Sequence, residues 1–330
     1  MQSFWSTLPR PFIALAPMAD VTDPAYRALI AERGKPDVMW TEFVSADGLY
    51  HTREKKKKDG STLYGSDAEN PLVRDLSFTE AERPLVAQFF SSQPEMMEYA
   101  ARYALMQGFD GVDINMGCPD ASIEKQGAGA AHMKNPTHAR EVIAAALRGV
   151  AGRIPVSVKT RIGYNKIDYE TWLPHLLDSG IAALSLHMRT RKEMSKVQAH
   201  WELGAEIASF CRGVNREVVL IGNGDIASIV EAREKALHYG FDGMMLGRAM
   251  FGNPWVSLGR APEDLSKEER LETVLALARR FDTLRPRKHF AILKKHFKAF
   301  VSGFEGAAEL RGRLMETNTL EELETVLASE

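Results

Sequence analysis

The chain has 330 residues, 45% of them hydrophobic and 26% charged, with a formal net charge of −2 at pH 7. This excludes a disordered or fibrous chain and suits a barrel of roughly 250 residues with a small appendage. It also excludes a globally basic nucleic-acid binder, and the two cysteines, Cys118 and Cys211, exclude a disulfide framework and a CxxC zinc site.

The first eleven residues carry Trp5 and Arg10 but no long apolar stretch. Nowhere does the sequence approach the roughly 18 consecutive apolar residues of a membrane span. The expectation is a cytoplasmic protein without signal peptide, membrane segment or bound metal.

Eight short apolar runs follow, at 12–16, 38–43, 85–89, 111–114, 155–159, 183–186, 218–221 and 243–246. Most lack polar alternation, as strands of a parallel sheet buried on both faces do. Helical spacing fills the gaps, as at 95–107, 136–147, 169–179 and 228–239. Eight β–α alternations predict an α/β protein with a (β/α)8 TIM barrel. A doubly wound open sheet would need a Gly-rich turn after the first strand, and Pro17-Met18-Ala19-Asp20 is not one. The barrel pattern ends near Trp255. Residues 261–266 read as a linker with an N-cap, and 267–330 as a small C-terminal helical bundle.

The strand ends collect polar residues, and in a TIM barrel that end carries the chemistry. The first strand ends in Ala16-Pro17-Met18 and the third near Gln88. The fourth ends in Asn115 and Cys118, whose thiol is fixed between Gly117 and Pro119. A lone cysteine can equally be a small buried hydrophobe; Cys211, near a helix end, is read that way. Lys159 and Arg161 end the fifth strand, and His187 and Arg189 the sixth. A lysine ending a buried strand needs an anion or acceptor nearby.

Gly222-Asn223-Gly224-Asp225 and Gly247-Arg248 close the seventh and eighth strands, where such barrels bind phosphate. Gly222, Gly224 and a helix beginning near Ala227 offer backbone N–H groups, and Arg248 a guanidinium. Turn-forming glycines are the plain alternative. Together these parts suit a cofactor with a phosphate tail and a planar head, and a reduced flavin would supply the anion for Lys159.

These residues resemble the tRNA-dihydrouridine synthase family over essentially the whole chain. The motifs that carry the resemblance are Ala16-Pro17-Met18, Asn115-Met116-Gly117-Cys118-Pro119 with Lys125-x-Gly127-x-Gly129, Val158-Lys159-x-Arg161, His187-x-Arg189-Thr190-Arg191, Gly222-Asn223-Gly224-Asp225 and Gly247-Arg248. The resemblance implies an FMN-binding barrel over 1–258 and a helical tRNA-binding domain over 259–330. It implies that NADPH reduces FMN, that the flavin passes hydride to C6 of a D-loop uracil in tRNA, and that Cys118 protonates C5. It assigns Ala16, Pro17, Met18, Gln88, Lys159, His187, Asn223, Gly224, Asp225, Gly247 and Arg248 to FMN, and Asn115 and Arg189 to substrate. Nothing in the sequence calls for more than a monomer. Two departures fall near the substrate: Met188 stands where the family commonly has glycine, and 194–201 lacks its tyrosine–glycine stretch.

A stacked uracil must be turned out of the tRNA to reach a barrel mouth, and positive charge must hold the flanking phosphates. Between Arg285 and Arg313 there are eight Lys and Arg against two Glu. A helix around 290–304 is expected to present Lys288, Lys295 and Lys298 away from its apolar face. Lys55–Lys58 reads as a solvated loop or, alternatively, an RNA contact. A small-molecule flavin enzyme would not explain the basic helical region. A non-catalytic RNA binder would not need Cys118, Lys159 and both phosphate loops.

Overall fold

The computed structural model describes residues 3–330. Eight parallel strands form one sheet: β1 (Phe12–Leu15), β2 (Met39–Ser45), β3 (Leu85–Phe90), β4 (Gly111–Asn115), β5 (Val156–Arg161), β6 (Ala183–His187), β7 (Val219–Asn223) and β8 (Gly243–Leu246). Their order is β1-β8-β7-β6-β5-β4-β3-β2, so each strand lies beside its successor in the chain. A bridge between Ala14 and Val38, with the Leu15 N–H donating to the Val38 carbonyl at 3.0 Å, closes the ring. The eight runs read from sequence all become strands, and the open-sheet alternative is excluded.

The two-residue period of a strand sorts the barrel into an inside and an outside. Across β4 to β8 the register pairs Asp113 with Ser157, Lys159 with Ser185, and Arg161 with His187, which in turn pairs with Asn223. The interior floor is apolar, built from Phe12, Ala14, Trp40, Val86, Ala183, Val219, Ile221 and Met245, and Trp5 packs into it. The Trp5 ring lies 5.7 Å from Phe12 and 5.9 Å from Trp40. Polar residues occupy the layers above. The alternate residues, such as Val112, Ile114, Val158, Leu184 and Leu186, face the surrounding helices.

Pro94–Met106, Pro136–Val150, Tyr169–Leu177, Gly204–Val214 and Ile229–Tyr239 are helices of the outer layer. After β8 the chain becomes helical: Lys267–Thr283, Lys294–Phe300, Ala307–Glu316 and Leu320–Leu327. The first is set by a capping box, in which Ser266 Oγ accepts from the Glu269 N–H at 3.2 Å and Glu269 returns the bond at 3.0 Å. It packs on helix Pro24–Gly34 of the barrel.

The helix expected around 290–304 is shorter. A 3-10 turn, Phe290–Ile292, precedes the α-helix Lys294–Phe300, and the chain turns again at Gly303, whose φ is +80°. Lys288 therefore lies ahead of any helix, in a segment following Pro286, which lacks an N–H. Among the described residues no helix is long and apolar enough to cross a membrane.

Candidate active site

The C-terminal ends of β1, β5, β6, β7 and β8 surround a cavity of about 670 Å³. Its wall brings together Ala16, Pro17, Met18, Lys159, His187, Asn223, Gly224, Asp225, Gly247 and Arg248. All ten were singled out from sequence. Gln88, Asn115, Cys118 and Arg189 stand outside this lining. Gln88 and Asn115 lie on β3 and β4, on the same side of the barrel as Cys118. Arg189 is buried behind the β6–β7 wall, its side chain 3% exposed.

Lys159 donates to Asn223 Oδ1 at 3.2 Å, and Asn223 donates to the Met245 carbonyl at 2.7 Å. Burial, with the charge of Arg161, brings the Lys159 amine down to about 8. Burial and the surrounding cations Arg161, Lys159, Arg189 and Arg248 hold His187 well below its ordinary value, so its ring is neutral at pH 7. Its Nδ1 is buried without a hydrogen-bond partner. A buried polar atom of this kind is expensive unless a ligand satisfies it.

The Gly224 backbone has φ of +124°, a conformation side chains rarely adopt. Gly247 leaves a shallow cradle, since a Cβ there would come within 3.3 Å of Met18 Sδ. Asp225 lies between two guanidiniums: Arg189 donates to Oδ2 and Arg248 to Oδ1. The Ala199 N–H adds a bond at 2.9 Å. Burial works to raise the Asp225 carboxyl, but these partners outweigh it and hold the group below the usual range. Arg189 also donates to the Val197 carbonyl at 2.8 Å, so it holds two loops together rather than facing the cavity.

Two sequence expectations for this end change. Gly222 has the outward parity; a Cβ there would meet Met244 and Trp201 at 2.7 and 2.8 Å, so it serves packing against the helices. The adjacent helix begins at Ile229, and the Ala227 N–H is already bonded to Glu231 at 2.7 Å. Gly222 therefore serves packing, and the Ala227 N–H is not a free donor.

The Cys118 loop is pinned from three sides. Asn115 Oδ1 accepts from the N–H groups of Gly117 at 3.2 Å and Cys118 at 2.9 Å. The Cys118 carbonyl accepts from Ala130 at 2.9 Å. Arg161, which lines the cavity, donates to the Gly117 carbonyl at 2.8 Å. The half-buried thiol is pushed up by burial and is protonated at neutral pH. Cys211, buried in helix Gly204–Val214, is pushed up further, to about 12. Sequence reasoning quoted Arg161 without giving it a role. The signal was there, because it sits two residues after Lys159 and shares its face.

Both departures from the family pattern can be placed. Met188, the residue after β6, is fully buried in the apolar layer outside the barrel and does not line the cavity. The 194–201 loop exposes Met194 and Val197, and Arg161 donates to the Met194 carbonyl at 2.9 Å.

Lys288 does not project to solvent. Its side chain is 4% exposed, donating to Glu42 at 2.8 Å, with Asp75 at 3.2 Å and Asp23 at 3.6 Å. Burial works against its charge, but the three carboxylates prevail and raise the amine above its ordinary value. Lys295 lies 3.6 Å from Asp20 at the barrel mouth, and Lys298 is exposed. Both line a groove with Lys294, Arg311, Phe251 and Met315. Lys55–Lys58 is an exposed loop.

The family model described as dihydrouridine synthase (Dus) matches residues 14–330. The chain is 40% identical over 330 residues to a probable tRNA-dihydrouridine synthase of Staphylococcus epidermidis, covering 99% of this chain and 95% of that protein. It is 40% identical over 332 residues to a probable tRNA-dihydrouridine synthase 2 of Bacillus subtilis, covering 99% and 96%. Among solved structures, a 2-naphthoyl-CoA reductase aligns with TM-score 0.56 at 9% identity, over 74% of this chain and 49% of that one. A histamine dehydrogenase from Rhizobium sp. 4-9 aligns with TM-score 0.50 at 11% identity, over 83% and 49%. These two likenesses concern the fold.

Proposed function

The chain belongs to the dihydrouridine synthase family and reduces uridine in tRNA, and we propose that the cavity at the strand ends, with the Cys118 loop beside it, is where this happens. The residues present fit FMN. The unpartnered His187 Nδ1, the Gly247 cradle and the cationic Lys159 suit a planar, electron-accepting ring. The Gly224 backbone and Arg248 suit its phosphate. Ala16, Pro17, Met18, Asn223, Asp225 and Gln88 complete the site. When bound, FMN would supply the hydride for C6 of a D-loop uracil, with NADPH as the reductant that replenishes it.

The chain's own residues do the rest. Hydride addition at C6 leaves enolate charge on C5 and O4 of the base. The Cys118 thiol then forms the C5–H bond by giving up its proton, and the thiolate is reprotonated from solvent. Burial suits this role, because it keeps the thiol protonated until that charge develops. Asn115 and Arg161 hold the loop from which the proton leaves, and Asn115 retains one amide hydrogen to offer the uracil edge. Arg189 orders the 194–201 loop beside the substrate. The Lys159 ammonium, drawn to Asn223, would hold negative charge that develops at this end of the cavity.

We assign residues 1–258 to catalysis and 259–330 to holding the tRNA, with the Lys294, Lys295, Lys298 and Arg311 groove on its phosphates. The observation that carries the reading is the protonated, half-buried thiol held beside a cationic cavity. The test is dihydrouridine formed in unmodified tRNA with NADPH, wild type beside Cys118→Ala. A large loss in the variant supports the assignment; equal product from both removes Cys118 from the acid role.

A further inference from the structure

We propose that Asp113 is a positioning residue for Cys118: its carboxylate, acting through the side-chain amides of Gln88 and Asn115, locks the Asn115 oxygen onto the Cys118 backbone.

The chain of hydrogen bonds is directional. The N–H groups of Gly117 and Cys118 can only donate, so Asn115 must turn its oxygen to them. Its nitrogen then faces Gln88 and donates to Oε1 at 3.2 Å. Gln88 is left with its nitrogen pointing the other way, where it donates to Asp113 Oδ2 at 2.6 Å. Ser157 donates to the other oxygen, Oδ1, at 2.5 Å. An amide flip at either residue would set donor against donor. An acceptor at position 113 forbids the flip from one end, and the Cys118 loop forbids it from the other. Gln88 cannot evade this by moving, because its own N–H is held by Thr41 at 3.0 Å.

Asp113 is fully buried in the barrel interior, level with Ser157 and one layer below Asn115 and Lys159. Burying a carboxylate costs several kcal/mol unless hydrogen bonds and charges compensate it. Two hydrogen bonds and the nearby Lys159 compensate only in part, and burial pushes the group up to about 6. An apolar side chain would fold here at lower cost. What the carboxylate adds is order in two amides that touch the reacting residues.

The inference rests on the proposed role of Cys118 for its consequence in catalysis, so its test reads the thiol directly. The full-length flavoprotein is treated with iodoacetamide, and modification of Cys118 is followed by peptide mass spectrometry. Asp113→Leu removes the acceptor and is expected to speed Cys118 modification about tenfold, the equivalent of one lost buried hydrogen bond. Asp113→Asn can still turn an amide oxygen to Gln88 and is expected to stay within about twofold of wild type. Equal rates for Leu, Asn and wild type overturn the proposal. A fast Asn variant also overturns it, by making the charge rather than the acceptor responsible.

If Asp113→Leu fails to fold, an exchange replaces it. Gln88→Glu alone sets two carboxylates face to face. Gln88→Glu with Asp113→Asn restores a donor–acceptor pair and leaves an acceptor toward Asn115. The exchange is expected to return the Cys118 rate to near wild type, while the single variant stays fast. Equal rates in the two refute the relay. None of these measurements involves tRNA, so failure of the relay is distinct from failure of the tRNA reading.

Discussion

Arg161 donates through Nε to the Gly117 carbonyl at 2.8 Å, and through Nη1 to the Met194 carbonyl at 2.9 Å. One guanidinium thus ties the Cys118 loop to the loop after β6. A hydrogen bond to a charged group contributes about 1.5–3 kcal/mol. Arg161→Met is expected to lower kcat for dihydrouridine formation about tenfold to a hundredfold. NADPH oxidation without tRNA should fall much less, because the hydride-accepting half of the reaction does not use the thiol. Arg161→Lys should recover part of the loss. The check is the ratio of the two rates in each variant; equal losses would place Arg161 in the cofactor site instead.

The barrel was legible because parallel strands buried on both faces read as continuous apolar runs, and all eight were found within a few residues of their ends. The cavity lining was legible because its residues lie at the last inward positions of those strands or just beyond their ends. Parity was the unused signal. It turns Gly222 outward against Trp201 and brings Arg161 in beside Lys159. Lys288 was not legible at all, since its partner Glu42 is 246 residues away in the chain. Local charge counting cannot see a cation folded inward. The partners of Arg189 were equally out of reach, because Asp225 and Val197 take its donors from two separate loops.

Lys288 pairs with Glu42 and lies beside Asp75 and Asp23 where the C-terminal helices meet the barrel. Removing one member of a buried ion cluster leaves uncompensated charge and costs about 3–5 kcal/mol. Lys288→Met should lower the unfolding free energy extrapolated from urea titration by that amount. Lys298 is exposed, so Lys298→Ala should leave stability within about 0.5 kcal/mol. It should instead weaken tRNA binding and reduce the slope of log K against log salt by about 1. If Lys298→Ala leaves the salt slope unchanged, the groove does not hold phosphates.

Three buried histidines make the fold acid-sensitive, His187 of the cavity wall among them. Burial lowers His296, packed among Tyr26, Phe251 and Phe300, to about 3, and lowers His132 to about 4. Below the ordinary histidine value of 6.5 the unfolded chain takes up protons that the native state refuses, so stability falls as pH falls. Asp113 works the other way. Its native value of about 6 lies above the unfolded 3.8, so the native state gains a proton first and stability rises across that window. The three histidines prevail, and a net loss of about 3–4 kcal/mol is expected between pH 6.5 and 5. Urea midpoints at the two pH values measure it. His296→Phe should flatten the acid limb, and an unchanged limb would refute the histidine account.

The alkaline side of the activity profile should belong to Lys159 rather than to Cys118. The amine stands at about 8, whereas burial carries the thiol above its ordinary 9.0. As pH rises, the charge beside the cavity is therefore lost before the proton that the proposed role asks of Cys118. The expected kcat profile for dihydrouridine formation is flat from pH 6.5 and bends downward near pH 8. Lys159→Arg keeps a cation at all accessible pH values. It will have a lower plateau, because a planar guanidinium does not match the ammonium's place beside Asn223, but its alkaline bend should move to higher pH and then report the thiol. If the bend stays near pH 8 in that variant, Lys159 is not the group that titrates.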